Sequence, residues 1–312
     1  MHFYRDTLKR AWKLTSRNPF LWFFGLFAAL SGNGDEYDTF FSNLGFVQRV
    51  QINLDAYKAA LANGEIGDFF RNFNQAFGED ALAISLVLLV SLVVVLLVIW
   101  LVTVSQAALI RNASQSRDGQ PTGWLDGFHA GTRVFWKVLV LNILAKAVIF
   151  VPLIVLGLPL AFFYVRQEAM GWSIILTLIG FLFLVPVSIV VSFITKYATA
   201  YIVIQGAPVK KSVRSGWQLF LKNWLITVEL ALLLFIINFV VAYVAFSLMD
   251  TLGLTASTTG LSVFTIVIII LGSLLAVFQF SAWTFLFREL VENKGVSKLV
   301  RVFHPNFAKE LE

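Results

Sequence analysis

The sequence predicts an all-α fold, a polytopic membrane helical bundle of about six transmembrane helices arranged as three parallel amphipathic-helix-plus-hairpin repeats. Three observations predict it. Hydrophobic residues make up 58% of the 312-residue chain and charged residues 13%, where an ordinary soluble domain carries about 25% charged residues. Uncharged apolar runs recur along the chain, the clearest being Ala81 to Leu109, and the ~30 Å hydrocarbon core needs only about 20 such residues. A basic, aromatic-edged motif stands ahead of an apolar hairpin three times, starting at Trp12, Phe128 and Trp217.

Composition also narrows the chemistry. The absence of Cys excludes disulfides and thiolate metal sites. His2, His129 and His304 are the only imidazoles and no two have ligand spacing, so no metal and no cofactor is expected. The chain has no Walker loop, dinucleotide fingerprint, metal-ligand helix or nucleophile elbow. No catalytic residue is assigned, and the expected protein is not an enzyme. The net charge of +6 is divided among short segments between apolar runs, which is the pattern of membrane orientation and not of a nucleic-acid surface.

The chain is read as one membrane domain over 1–312. Residues 1–18 carry Arg5, Lys9, Arg10, Lys13 and Arg17 against Asp6, with Phe3, Leu8 and Trp12 available for an apolar face. This is an interfacial amphipathic helix. Asn18-Pro19 punctuates it, and Phe20 to Leu30 is apolar but covers only about 16 Å. A first span there must borrow the turns before Pro19, with Lys13 and Arg17 snorkelling. The same basic, apolar and small-residue pattern also fits a cleavable signal peptide; its long basic region and its likeness to the Trp217 segment weigh against cleavage.

Residues 31–80 form the long polar interval, with eight acids against Arg49, Lys58 and Arg71. Phe69, Phe70, Phe73 and Phe77 lie at helical spacing. An acidic, helical, extracytoplasmic cap is expected, either as a solvated cover or as the surface for a protein partner. Five more spans fall within 81–287: Ala81 to Leu109, Val138 to about Tyr164, Ser173 to about Thr195, Trp224 to Met249 and Leu261 to Phe287. Pro152, Pro159 and Pro186 are tolerated inside them because neighbouring helices re-satisfy the freed backbone groups. The turn Asp118-Gly119-Gln120-Pro121 precedes the second motif copy, and a polar cytoplasmic tail occupies 288–312. With both termini cytoplasmic, 19 of the 24 Lys and Arg fall inside, as the positive-inside rule requires of a bacterial cytoplasmic (inner) membrane protein.

In the motif, Trp, Leu, a cation and Asn stand at relative positions 0, 2, 5 and 6 as Trp12, Leu14, Arg17, Asn18 and again as Trp217, Leu219, Lys222, Asn223. The middle copy has Phe128, Ala130 and Arg133, then Val134 in place of Asn, with Trp136 close behind. Trp12, Trp136, Trp217 and Trp224 are candidate interfacial anchors. On Trp12-Lys13-Leu14, Asn18-Pro19-Phe20-Leu21-Trp22, Trp217-Gln218-Leu219 and Asn223-Trp224, and on the hairpin layout over most of its length, the chain resembles a class of bacterial multi-pass integral membrane proteins. These are similar to the membrane domain associated with glycerophosphodiester phosphodiesterases. The resemblance implies a membrane module; the soluble catalytic barrel of those enzymes has no counterpart here.

Ionisable groups inside spans are costly and mark candidate sites. Lys146 lies about 13 Å into the third span and Glu229 about 9 Å into the fifth. Asn142 and Gln279 sit at similar depth. A Lys146 to Glu229 ion pair served by Asn142 and Gln279 would either lock the bundle or line a cytoplasm-facing vestibule of a small transporter or channel; snorkelling without pairing is the third option. Lys210, Lys211 and Arg214 could contact anionic lipid, although orientation alone also calls for them. The expected function is a non-catalytic structural or accessory module binding membrane lipids or a protein partner, with no nucleic acid.

Overall fold

The computed structural model describes residues 2–30, 68, 81–120, 122–166, 170–253 and 258–292. Among the described residues there are eight helices and no strand: α1 His2–Arg17, α2 Phe20–Ala29, α3 Ala81–Arg117, α4 Trp124–Arg166, α5 Met170–Gln205, α6 Val209–Lys222, α7 Trp224–Thr251 and α8 Thr258–Val291. The chain is therefore an all-α bundle. Apart from Asp68, the expected acidic cap over 31–80 lies outside the described residues, as does the tail beyond 292.

Among the described residues, five helices are long and apolar enough to cross a membrane: Leu82–Arg117, Trp124–Val155, Leu178–Gln205, Trp224–Leu248 and Ser262–Val291. The first expected span differs. Helix α2 has ten residues, about 15 Å at 1.5 Å per residue, and α1 does not extend it. Pro19 has no N–H to continue the ladder, and the Asn18 amide turns back to donate to the Leu14 carbonyl at 3.0 Å. The Trp22 indole N–H then ties the corner to the Thr15 carbonyl at 3.0 Å.

Asn223 performs the same step between α6 and α7. Its amide donates to the Leu219 carbonyl at 3.1 Å, and its backbone, at φ −130° and ψ 29°, leaves the helical region. The middle motif copy behaves differently. Val134 offers no amide to compete for a carbonyl, and α4 runs unbroken from Trp124 to Arg166, so a separate amphipathic helix ahead of that span does not form. The expected turn after α3 is present: Gly119 adopts φ 72°, and Gln120 N–H reaches back to the Gln115 carbonyl at 3.0 Å, a Schellman-type ending that favours glycine.

The chain divides into two compact units. One comprises 1–33, 100–143 and 192–312, the other 34–99 and 144–191. In the second, the successive residues Leu86, Val87, Leu88 and Leu89 of α3 are each more than half exposed. Four consecutive residues point in all directions around a helix. An apolar helix uncovered on every side is at home in lipid, not in water.

The first unit holds the dense core, with α8 at its centre. Helix α2 lies so close to α8 that a Cβ on Gly25 would overlap the Ser273 carbonyl and come within 2.7 Å of Val277. Ala28 and Ala276, both fully buried, belong to the same two helices. Aromatic rings fill the space where backbones stand further apart: Trp283 meets Phe193 and Tyr197 of α5 at 5.6 and 6.3 Å, and Phe193 stacks on Phe220 of α6 at 5.8 Å. The Tyr197 hydroxyl is 2.6 Å from that of Thr227 in α7.

Candidate functional site

The three motif copies share a buried small residue just ahead of the aromatic: Ala11, Gly127 and Gly216. Each sits where helices touch. Helix α1 packs on α8; a Cβ on Gly127 would meet Ala108 of α3 at 3.3 Å, and one on Gly216 would meet Ile194 and Ala198 of α5 at 3.1 Å. In α1 the buried stripe is Thr7, Ala11, Leu14 and Thr15, and in α6 it is Ser212, Gly216, Leu219 and Phe220, at identical offsets. The charges lie outside the stripe: Arg5, Lys9, Arg10, Lys13 and Arg17 on α1, of which Arg10, Lys13 and Arg17 border it beside Leu14, and Lys210, Lys211, Arg214 and Lys222 on α6, are all exposed. Trp12, Trp136, Trp217 and Trp224 are exposed as well.

Of the expected intramembrane polar residues, Asn142 and Lys146 lie on α4, Glu229 on α7 and Gln279 on α8. Asn142 donates to Gln106 of α3 at 3.0 Å, a partner that sequence spacing did not single out. Glu229 is half-buried and accepts a hydrogen bond from the Tyr4 hydroxyl of α1. Gln279 is buried in α8. Lys146 is exposed and belongs to the other compact unit. Asn238 lies nine residues beyond Glu229 on α7, two and a half turns away, and so faces the opposite side of that helix; its Oδ1 is buried without a hydrogen-bond partner among the described residues.

Where the ends of α3 and α8 meet, the structure reveals a charged assembly that depth counting passed over. Arg117 grips Glu292 with two N–H groups, each at 2.9 Å. Arg288 donates to Asp118 at 2.8 Å and to Ser114 at 3.2 Å. Glu289 accepts from Thr7 at 3.3 Å and faces Arg10 at 3.8 Å. The available signal was the grouping of Arg117 and Asp118 at one span's end and Arg288, Glu289 and Glu292 at another's. Beside this assembly is a pocket of about 500 Å³ walled by Arg10, Lys13, Arg17 and Arg117. Asn18 and Ser116 add polar groups, and Leu14 and Phe285 an apolar surface.

Among the described residues, no three His, Asp or Glu side chains stand close enough together to hold a metal ion. The chain matches no known protein family, no curated protein and no solved structure.

Proposed function

We propose that this chain is a non-catalytic multi-pass protein of a bacterial cytoplasmic membrane, an accessory or structural module whose basic, Trp-bearing helices engage anionic lipid on the cytoplasmic face. The observation that carries the reading is the shared construction of α1 and α6. Each buries a stripe at the same offsets and leaves its cations and Trp12 or Trp217 exposed. A helix so built lies in an interface, apolar side toward its packing partner and cations toward headgroups; each cation near an anionic surface contributes about 1 kcal/mol. The same construction supports three parallel repeats around an axis along the membrane normal, the middle one fused to its span. The likeness to the membrane domain associated with glycerophosphodiester phosphodiesterases rests on the same motif residues.

The test is lipid enrichment. Full-length protein is extracted from vesicles of mixed anionic and zwitterionic phospholipid, and the bound lipid is quantified. Wild type retains anionic lipid in excess of the bulk fraction, and a variant with Lys210→Gln, Lys211→Gln and Arg214→Gln retains less. Bulk composition in both would sink the reading. The rival, a small transporter using the region of Lys146 and Glu229, requires ion or solute flux above that of empty vesicles, lost in Glu229→Gln and Lys146→Gln.

A further inference from the structure

The pocket beside Arg117 has a more specific chemistry than a basic surface. Arg10, Lys13, Leu14 and Arg17 follow the i, i+3, i+4, i+7 spacing of one helical stripe, so α1 presents three cations and one apolar side chain to the same cavity. Arg117 adds a fourth cation from α3, and among the described residues no carboxylate lines the cavity. The neighbouring acids are already engaged: Glu292 by Arg117 and Arg288, and Glu289 by Arg10 and Thr7. Among the described residues, neither Lys13 nor Arg17 has an ion-pair partner. Like charges one turn apart on a helix repel, and a multivalent anion seated between them relieves that repulsion.

Guanidinium groups match paired phosphate oxygens with parallel N–H donors, while Asn18 and Ser116 supply neutral polar groups. At about 500 Å³ the cavity falls in the ~300–1,000 Å³ range of sites for small organic ligands. Leu14 and Phe285 give it an apolar wall that a bare inorganic ion would not use.

We propose that this pocket binds a phosphate ester, its phosphate held by Arg10, Lys13, Arg17 and Arg117 and its organic body against Leu14 and Phe285. This rests on the reading of the chain as a lipid-engaging membrane module. The phosphate can come from an anionic phospholipid headgroup or from a soluble ester.

The experiment uses the full chain in nanodiscs of phosphatidylcholine alone, titrated calorimetrically with dihexanoyl phosphatidic acid and, separately, inorganic phosphate; dihexanoyl phosphatidylcholine is the control. Dihexanoyl phosphatidic acid binds saturably and the control does not. Lys13→Gln combined with Arg17→Gln weakens binding by about thirtyfold, two cations' worth near an anionic group, with helix content by circular dichroism unchanged because both side chains are exposed. Lys210→Gln with Lys211→Gln leaves it unaltered. Competition by inorganic phosphate at similar concentration supports the site with a soluble ester as its source, and competition by the phosphatidic acid alone supports it with lipid as its source. Absence of saturable binding by either, or equal binding by the Lys13 and Arg17 variant, overturns the pocket. Anionic-lipid enrichment that depends on Lys210 and Lys211 but not on Lys13 and Arg17 overturns the pocket while leaving the lipid-engaging module intact.

Discussion

Arg117 and Glu292 meet in a two-pronged ion pair, Nη1 to Oε1 and Nη2 to Oε2, both at 2.9 Å. The pair clamps the end of α3 to the end of α8, and the Arg117 side chain is 11% exposed against 33% for Glu292. Its worth lies between that of an exposed pair, about 0–1 kcal/mol, and the ~3–5 kcal/mol lost on breaking a buried one. Glu292→Gln is expected to cost about 1–3 kcal/mol, because it also releases Arg288 at 3.8 Å. A double-mutant cycle with Arg117→Gln checks this by thermal unfolding in detergent. The paired variants together should cost less than the sum of the two single ones, and strict additivity would mean the residues are not coupled.

The contact of α2 with α8 makes Gly25 a second point of test. Its backbone lies against Ser273 and Val277, and the Ser273 hydroxyl donates to the Trp22 carbonyl. Gly25→Leu must push the two helices apart, an overpacking cost of about 1–3 kcal/mol. Gly272→Ala, with nothing within 4 Å of its added Cβ, serves as the control on the same packing partner. A lowered unfolding midpoint for the first and none for the second is the expected outcome; equal midpoints would contradict the close approach.

Tyr197 and Thr227 allow the direction of a hydrogen bond to be assigned. The Thr227 hydroxyl donates to the Asn223 carbonyl at 2.8 Å, and a hydroxyl has one proton, so Tyr197 is the donor across the 2.6 Å contact. Tyr197→Phe therefore removes one bond and leaves Thr227 its own donation, costing about 1 kcal/mol. Thr227→Val strips an acceptor from buried Tyr197 and a donor from Asn223, at about 2–3 kcal/mol. Unfolding midpoints that rank the two variants in the reverse order would contradict this assignment.

The long spans were legible because charge-free runs such as Ala81 to Leu109 need no partner to be recognised. Asn18-Pro19 was legible as punctuation, since Asn and Pro interrupt a helix locally, but the first span was expected to borrow the turns before Pro19, and α1 instead ends at Arg17 with a separate ten-residue α2 after it. Local chemistry also explains where the parallel fails: Val134 replaces the Asn, and α4 continues through it. Partners are another matter. Asn142 stands one turn from Lys146 in sequence, yet its amide is met by Gln106 from a different helix. Tyr4 and Glu229 are 225 residues apart, and no periodicity within either helix reports which one the other will face. Counting cations by segment predicts an orientation but could not say that Arg117 and Glu292, or Arg288 and Asp118, would cancel each other in pairs.

The absence of native Cys makes single-cysteine labelling with a membrane-impermeant maleimide the most direct test of the central claim, that the three motif segments share one face of a membrane. Lys9→Cys on α1, Arg133→Cys on α4 and Lys211→Cys on α6 replace exposed side chains, and neighbouring Ser212 is avoided because it is fully buried. In intact right-side-out vesicles these three are expected to resist labelling until the membrane is opened, while Ala60→Cys labels at once. Labelling of any one of the three together with Ala60→Cys in intact vesicles would contradict the account.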